Sequence, residues 1–266
     1  MSELTTGRPG AVAGATALGR GLAMTGRCLR IGWRNVDAVV TSLVLPVMLM
    51  LMFVYLFGGA IHTGTAYKTY VLPGVLVLCA GFGSALAAVR VCEDMTGGVV
   101  DRLISMNVGG IAILAGHVIA SVLRNLMSSA LVVGVALAIG FRPHASPAAW
   151  LGAAGVLLAF ILAVSAVSVV IGLLVTSPEA ANGCTFVLLF LPYPSSAFVP
   201  VSTMPSWLQG FARHQPATPV IGSIRGLLLH QPLGSQPGLA LAWCAGITAV
   251  AVAGSAAAFR RRAARG

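Results

Sequence analysis

Ser84, inside the run G-F-G-S-A, is the residue of this chain best suited by type to act as a nucleophile. A serine nucleophile needs a base within hydrogen-bond reach, and no histidine is in register with it. His62, His144, His214 and His230 fall in polar connecting segments, and His117 falls near the inner end of a long apolar run. Ser84 therefore reads as a packing residue. Nucleotide chemistry is closed as well. There is no G-x-x-x-x-G-K-[ST] run, and the only lysine, Lys68, lies in a short polar loop, so a phosphate-cradling loop has no basis. No H-E-x-x-H occurs, and no paired carboxylates fall inside an apolar run. That leaves metal-assisted hydrolysis without ligands. Cys28, Cys79, Cys92, Cys184 and Cys244 form no C-x-x-C pair and read as small packing residues rather than a metal site or disulfide framework. The chain is expected to hold no catalytic, cofactor or metal site of its own.

The charged residues that remain concentrate in E-D-M-T-G-G-V-V-D-R-L-I-S-M-N-V-G-G, Glu93 to Gly110, which holds three of the six acidic residues. A turn between two helices needs about 2–8 residues. This one spends about eighteen, with helix-compatible content. A short surface helix that docks on a soluble partner accounts for the excess. A second polar feature is Arg124 beside Asn125, inside an apolar stretch. An intramembrane Arg costs a few kcal/mol by insertion scales. It either pairs with a backbone carbonyl or Asn125 within a helix bundle, or lines a transport path or dimer seam.

The elements that position these residues follow from composition. The chain has 266 residues, 58% hydrophobic and 8% charged, where soluble domains carry roughly 25% charge. An apolar stretch of about 20 residues spans a bilayer as a helix. The fold class is all-α: a polytopic integral membrane protein with six transmembrane helices at about 37–57, 70–91, 112–139, 150–175, 180–199 and 239–259. Pro46 is expected to kink the first span and Pro192 and Pro194 to interrupt the fifth, while the second span carries Pro73. Two short outer helices are expected between the fifth and sixth spans, one starting at Pro205 and one at Pro219. Residues 1–14 read as a disordered cytoplasmic tail.

Residues 15–36 form an amphipathic pattern. Arg20, Arg27, Arg30 and Arg34 share one stripe, and Leu18, Leu22, Leu29, Trp33 and Val36 lie opposite. Such a helix lies in the interface plane with its arginines toward anionic lipid phosphates. Arginine clusters at both ends of the chain place both termini in the cytoplasm. On that topology Lys68, Arg142, Arg213 and Arg225 lie outside, Arg124 lies within the membrane and all other Lys and Arg lie inside, as the positive-inside bias requires. The formal charge of +10 is a membrane-orientation signal and not a nucleic-acid footprint, which would cluster on one solvated face. Scarce lysine with abundant Ala, Gly and Arg points to a GC-rich bacterial source and so to a bacterial plasma membrane.

Two blocks resemble a known family. The run E-D-M-T-G-G-V-V-D-R-L-I-S-M-N-V with the following G-H-V-I-A-S-V-L-R-N resembles the cytosolic loop and third span of type-2 ABC transporter permeases. The likeness is greatest to the daunorubicin-resistance drug-export permeases. L-P-Y-P-S-S-A-F-V-P-V-S-T-M-P-S-W-L-Q-G-F-A-R-H-Q-P-A-T-P-V-I-G-S-I-R-G-L-L-L is similar to that family's fifth span and outer helices. The resemblance runs from about residue 20 onward. Asn107 stands where the family usually has Pro, and His117 where Arg is common.

The resemblance implies a membrane dimer whose second permease chain is identical or paralogous. It implies an elbow helix, here residues 15–36, ahead of the first span. It also implies a coupling helix held by a separate ABC ATPase, present in two copies, which would bind ATP and Mg. Glu93, Asp94, Gly97, Asp101 and Arg102 then belong to the region that meets that ATPase. The implied function is export of a hydrophobic or amphipathic drug, metabolite or lipid. The alternative is an ion-coupled carrier or channel acting without an ATPase, although no carboxylate lies at mid-membrane depth to couple an ion.

Overall fold

The computed structural model describes residues 25–28, 30, 36–61, 66–105, 110–143 and 145–263. Among them every regular element is helical. In chain order these are α1 (Val36–Met52), a π-helical turn (Phe53–Phe57), α2 (Tyr67–Thr96), α3 (Val99–Ser105), α4 (Gly110–Ala138), α5 (Pro147–Leu174) and α6 (Pro178–Phe190). A 3₁₀ turn (Val201–Thr203) then leads to α7 (Ser206–His214), α8 (Ala217–Leu229) and α9 (Gln236–Ala263).

Local chemistry sets several of these boundaries. Pro147 and Pro178 occupy first helical positions, where the missing N–H costs nothing. Ser146 and Ser177 cap the same helices by accepting from Ala149 N and Ala180 N, each at 3.2 Å. Glu179 follows in the first turn of α6. Pro46 and Pro73 sit inside α1 and α2 without ending them.

Among the described residues, four helices, α2, α4, α5 and the part of α9 up to Ala258, are long and apolar enough to cross a membrane. The stretches read as first and fifth spans take other forms. Residues 37–57 are divided between α1 and the π turn. Residues 180–199 form the short helix α6 followed by turns from Leu191, because Pro192 and Pro194 withhold the N–H groups that would continue it.

The second helix is the axis of the bundle. It packs against α1, α4, α5, α6 and α8, and Val71, Leu72, Val75, Val77, Leu78 and Ala80 have no exposed surface. Close approach is made by glycine. A Cβ at Gly74 would stand 2.7 Å from that of Ala197, and one at Gly172 would meet the Ala88 carbonyl and lie 2.8 Å from Val91 Cβ. The outer helices α4 and α9 keep apolar faces outward, through Ile119, Leu123, Leu126 and Met127 on one and Leu241, Val250 and Val252 on the other. That is the expected surface when the solvent is hydrocarbon. On α7, Trp207 and Phe211 are exposed, as suits a helix at the membrane interface.

The second outer helix begins at Ala217, two residues before the expected Pro219, and α7 begins at Ser206, with the expected Pro205 in the cap position and no side-chain cap. Arg225, read as an outer cation, is buried. Its guanidinium lies 3.8 Å from the centre of the Tyr70 ring and donates to the carbonyls of Tyr70 (3.1 Å) and Ser196 (2.8 Å). It ties α8 to the outer end of α2 and to the turn that ends α6.

Candidate functional site

The charged segment folds as the end of α2, a glycine turn and the short helix α3. Glu93 and Asp94 ride on the last turns of α2 rather than on a separate helix, and Gly97 closes it by donating to Glu93 O at 2.9 Å. Gly98 has φ +69, a left-handed conformation that an L side chain adopts at a cost of about 1–2 kcal/mol. It turns the chain sharply into α3. On α3, Val100 is buried while Arg102, Ile104 and Ser105 face outward, Ile104 with 46% of its surface exposed. Asp101 lies on the same helix.

Beneath α3 an apolar cluster joins four elements. Val91 and Met95 of α2, Val100 of α3, Ile113 of α4, and Val169 and Leu173 of α5 are buried together. A displacement of α3 is therefore felt by three spans at once, since packed interiors transmit strain rather than absorb it.

Beside this hairpin, the helical residues 25–28 bring Arg27 against α2. Its Nη1 and Nη2 donate to Asp94 Oδ2 (2.9 Å) and Oδ1 (3.2 Å), a forked pair. The hydrogen bond to Asp94 is the main cause that raises the Arg27 guanidinium above its ordinary value. His117 Nε2 lies 3.2 Å from Asp94 Oδ2, within ion-pair distance but off the line of a hydrogen bond, and its Nδ1 is 3.8 Å from Cys28 Sγ. One turn deeper, Arg90 pairs with Glu93 at 3.1 Å. Arg124 of α4 reaches the same pocket, which is lined also by Ala87 and Ala120.

Further into the membrane, α2, α4 and α5 meet through side chains with hydrogen-bonding ends. Ser165 Oγ lies 3.2 Å from Ser84 Oγ and 2.9 Å from Ser121 Oγ, and Asn125 Nδ2 donates to Ser84 Oγ at 3.2 Å. Gly83 makes room for the amide: a Cβ there would lie 2.7 Å from Asn125 Cγ. Ser84 is thus part of an interhelical seam. Small and hydroxyl-bearing residues suit this position because they let backbones approach and pair across helices.

The two halves of the predicted pair Arg124–Asn125 separate by role. Asn125 is wholly buried in the seam, while Arg124 is half-buried at the charged pocket and has no hydrogen-bond partner among the described residues. Arg27, assigned by its stripe to lipid phosphates, turns instead to Asp94, and Arg30 is exposed. Arg20, Trp33 and Arg34 lie outside the described residues, as do residues 1–24, so the rest of the 15–36 helix is not described. Reasoning from sequence missed Gly98, Arg90, Cys28 and His117 as members of this region. The departure from Arg at His117 was the one signal for it.

Comparison with known proteins gives the family. A daunorubicin resistance ABC transporter permease protein of Streptomyces coeruleorubidus is 32% identical over 215 residues, covering 80% of this chain and 76% of its own. A Mycobacterium tuberculosis protein named "Probable doxorubicin resistance ABC transporter permease protein" is 25% identical over 244 residues, 90% of this chain and 88% of its own. The profile of the ABC-2 type transporter family matches residues 21–229, from the segment holding Arg27 to the end of α8. With a charged hairpin set on long apolar helices, this chain is a multi-pass membrane protein that belongs to the ABC-2 type transporter family, as a permease.

Proposed function

We propose that this chain is the membrane half of an ATP-driven exporter, two copies or a paralogous pair forming the path and two copies of a separate ABC ATPase supplying force. ATP and Mg would be bound by that partner. The observation that carries the proposal is α3. A short helix with Arg102 and the apolar Ile104 both outward is a docking surface for a soluble protein, and Val100 roots it in a cluster shared with α2, α4 and α5. ATP-driven closure of the ATPase pair would press on α3, and the shared cluster would pass the displacement to three spans. Glu93, Gly97, Asp101 and Arg102 form the docking rim. Asp94 acts from behind it, holding residues 25–28 of the elbow against α2.

In this reading residues 36–57 count as a first span, because α1 and the π turn run on without a break. A helix of that length covers about 33 Å. Residues 178–199 form a broken fifth span, giving six in all with both termini in the cytoplasm of a bacterium. The substrate is a hydrophobic or amphipathic drug, metabolite or lipid. That follows from what the relatives' names say of those relatives and from the apolar helices of this one.

The test is reconstitution of the chain with its ATPase. Transport should need ATP, and Asp101→Ala combined with Arg102→Ala and Ile104→Ser should lower stimulated hydrolysis at least about tenfold, the loss expected when a docking anchor is removed. Full stimulation by the triple variant, or transport on an ion gradient with no ATPase present, would refute the proposal and favour a secondary carrier.

A further inference from the structure

We propose that Arg124 is the seat of a phosphate group carried by an anionic lipid of the cytoplasmic leaflet. The pocket it enters is formed by residues 25–28, the inner end of α2 and α4. Three guanidiniums line it, from Arg27, Arg90 and Arg124, against two carboxylates, Glu93 and Asp94, with His117 beside them. Arg27 is taken by Asp94 and Arg90 by Glu93. Arg124 is left with no partner among the described residues, in a site already short of negative charge.

A half-buried cation at this depth is costly unless an anion meets it. The pocket opens beside the last two turns of α2, where the helix passes from apolar sequence into Arg90, Glu93 and Asp94. Long arginine side chains reach toward headgroups at this level.

The shape separates a lipid from a free ion. The cavity is about 40 Å³, space for an oxygen or two and not for a headgroup, so most of the ligand stays outside. Beside Arg124 on α4, Leu123 and Met127 are exposed and apolar, a surface on which acyl chains can lie. A ligand with anionic oxygens at one end and hydrocarbon at the other satisfies both features. Inorganic phosphate satisfies only the first. This inference does not depend on the exporter reading.

The experiment is native mass spectrometry of the full chain released from nanodiscs of equal phosphatidylglycerol and phosphatidylcholine. The wild type should retain phosphatidylglycerol about tenfold over phosphatidylcholine, the discrimination of one charge-assisted contact. Arg124→Gln should abolish the preference. Arg124→Lys should keep part of it, which guards against a folding defect in the Gln variant, and Arg142→Gln on the outer side should leave it intact. Equal retention by wild type and Arg124→Gln, or equal loss in Arg142→Gln, would overturn the assignment. Displacement of the lipid by millimolar inorganic phosphate would uphold an anion seat at Arg124 and overturn the lipid as its occupant.

Discussion

Replacing Gly83 by alanine probes the seam that sets α4 in register with α2, and so sets Arg124 beside Arg90. The added methyl would overlap Asn125 Oδ1 and lie 2.7 Å from its Cγ. Asn125 has no exposed surface, so its amide has nowhere to go without breaking its bond to Ser84. Overpacking of a filled site costs about 1–3 kcal/mol. Each interhelical hydrogen bond lost adds about 0.6 kcal/mol on average. Gly83→Ala should therefore destabilise by about 2–4 kcal/mol.

The rescue distinguishes this account from a generic loss. Asn125→Ala alone should cost about 1–2 kcal/mol through the lost bond and the space left behind. In the double variant the new methyl occupies that space. Gly83→Ala with Asn125→Ala should be more stable than Gly83→Ala alone, with a coupling of at least about 1 kcal/mol. Unfolding in mixed micelles with rising denaturing detergent, read by tryptophan fluorescence, measures all four corners. Strict additivity, or a cost below about 0.5 kcal/mol for Gly83→Ala, would refute the contact. Gly172→Ala is the control: its nearest obstruction is the Ala88 carbonyl, ahead of Val91, so trimming Val91 to Ala should not relieve it.

Gly98→Ala should weaken the inner hairpin by about 1–2 kcal/mol, because only its positive φ is at stake and no atom lies within 4 Å of the new methyl; limited proteolysis between α2 and α3 reads the loosening. Arg225→Lys should cost about 2–3 kcal/mol in the same unfolding assay, since an ammonium cannot stack on Tyr70 and serve both carbonyls together. Arg27→Gln and Asp94→Asn should be strongly non-additive in stimulated ATP hydrolysis. Either change breaks one fork, so the double variant should resemble the worse single one, and independent losses would show that the pair does not act as a unit.

Much of this molecule is legible without coordinates. Long uncharged runs admit one solvent, and the excess length between the second and third runs admits a small helix. Prolines 192 and 194 forecast the break after α6. These are local consequences of backbone chemistry and hydropathy, and they act over a few neighbouring residues.

What the chain alone left open were the partners of its polar side chains. Arg27 meets Asp94 across 67 positions, Ser84 meets Ser165 across 81, and Arg225 meets the Tyr70 carbonyl across 155. Helical periodicity put Arg27 on a lipid-facing stripe and charge bias left Arg225 among the outer cations, because such patterns record only which face or side a residue occupies. They carry no information about which helix stands opposite. Apolar composition and charge bias were enough to determine a helical membrane protein. Only the packing of α2 among its neighbours decided that Arg27 and Arg225 meet partners far along the chain, while Arg124 at the charged pocket has none among the described residues.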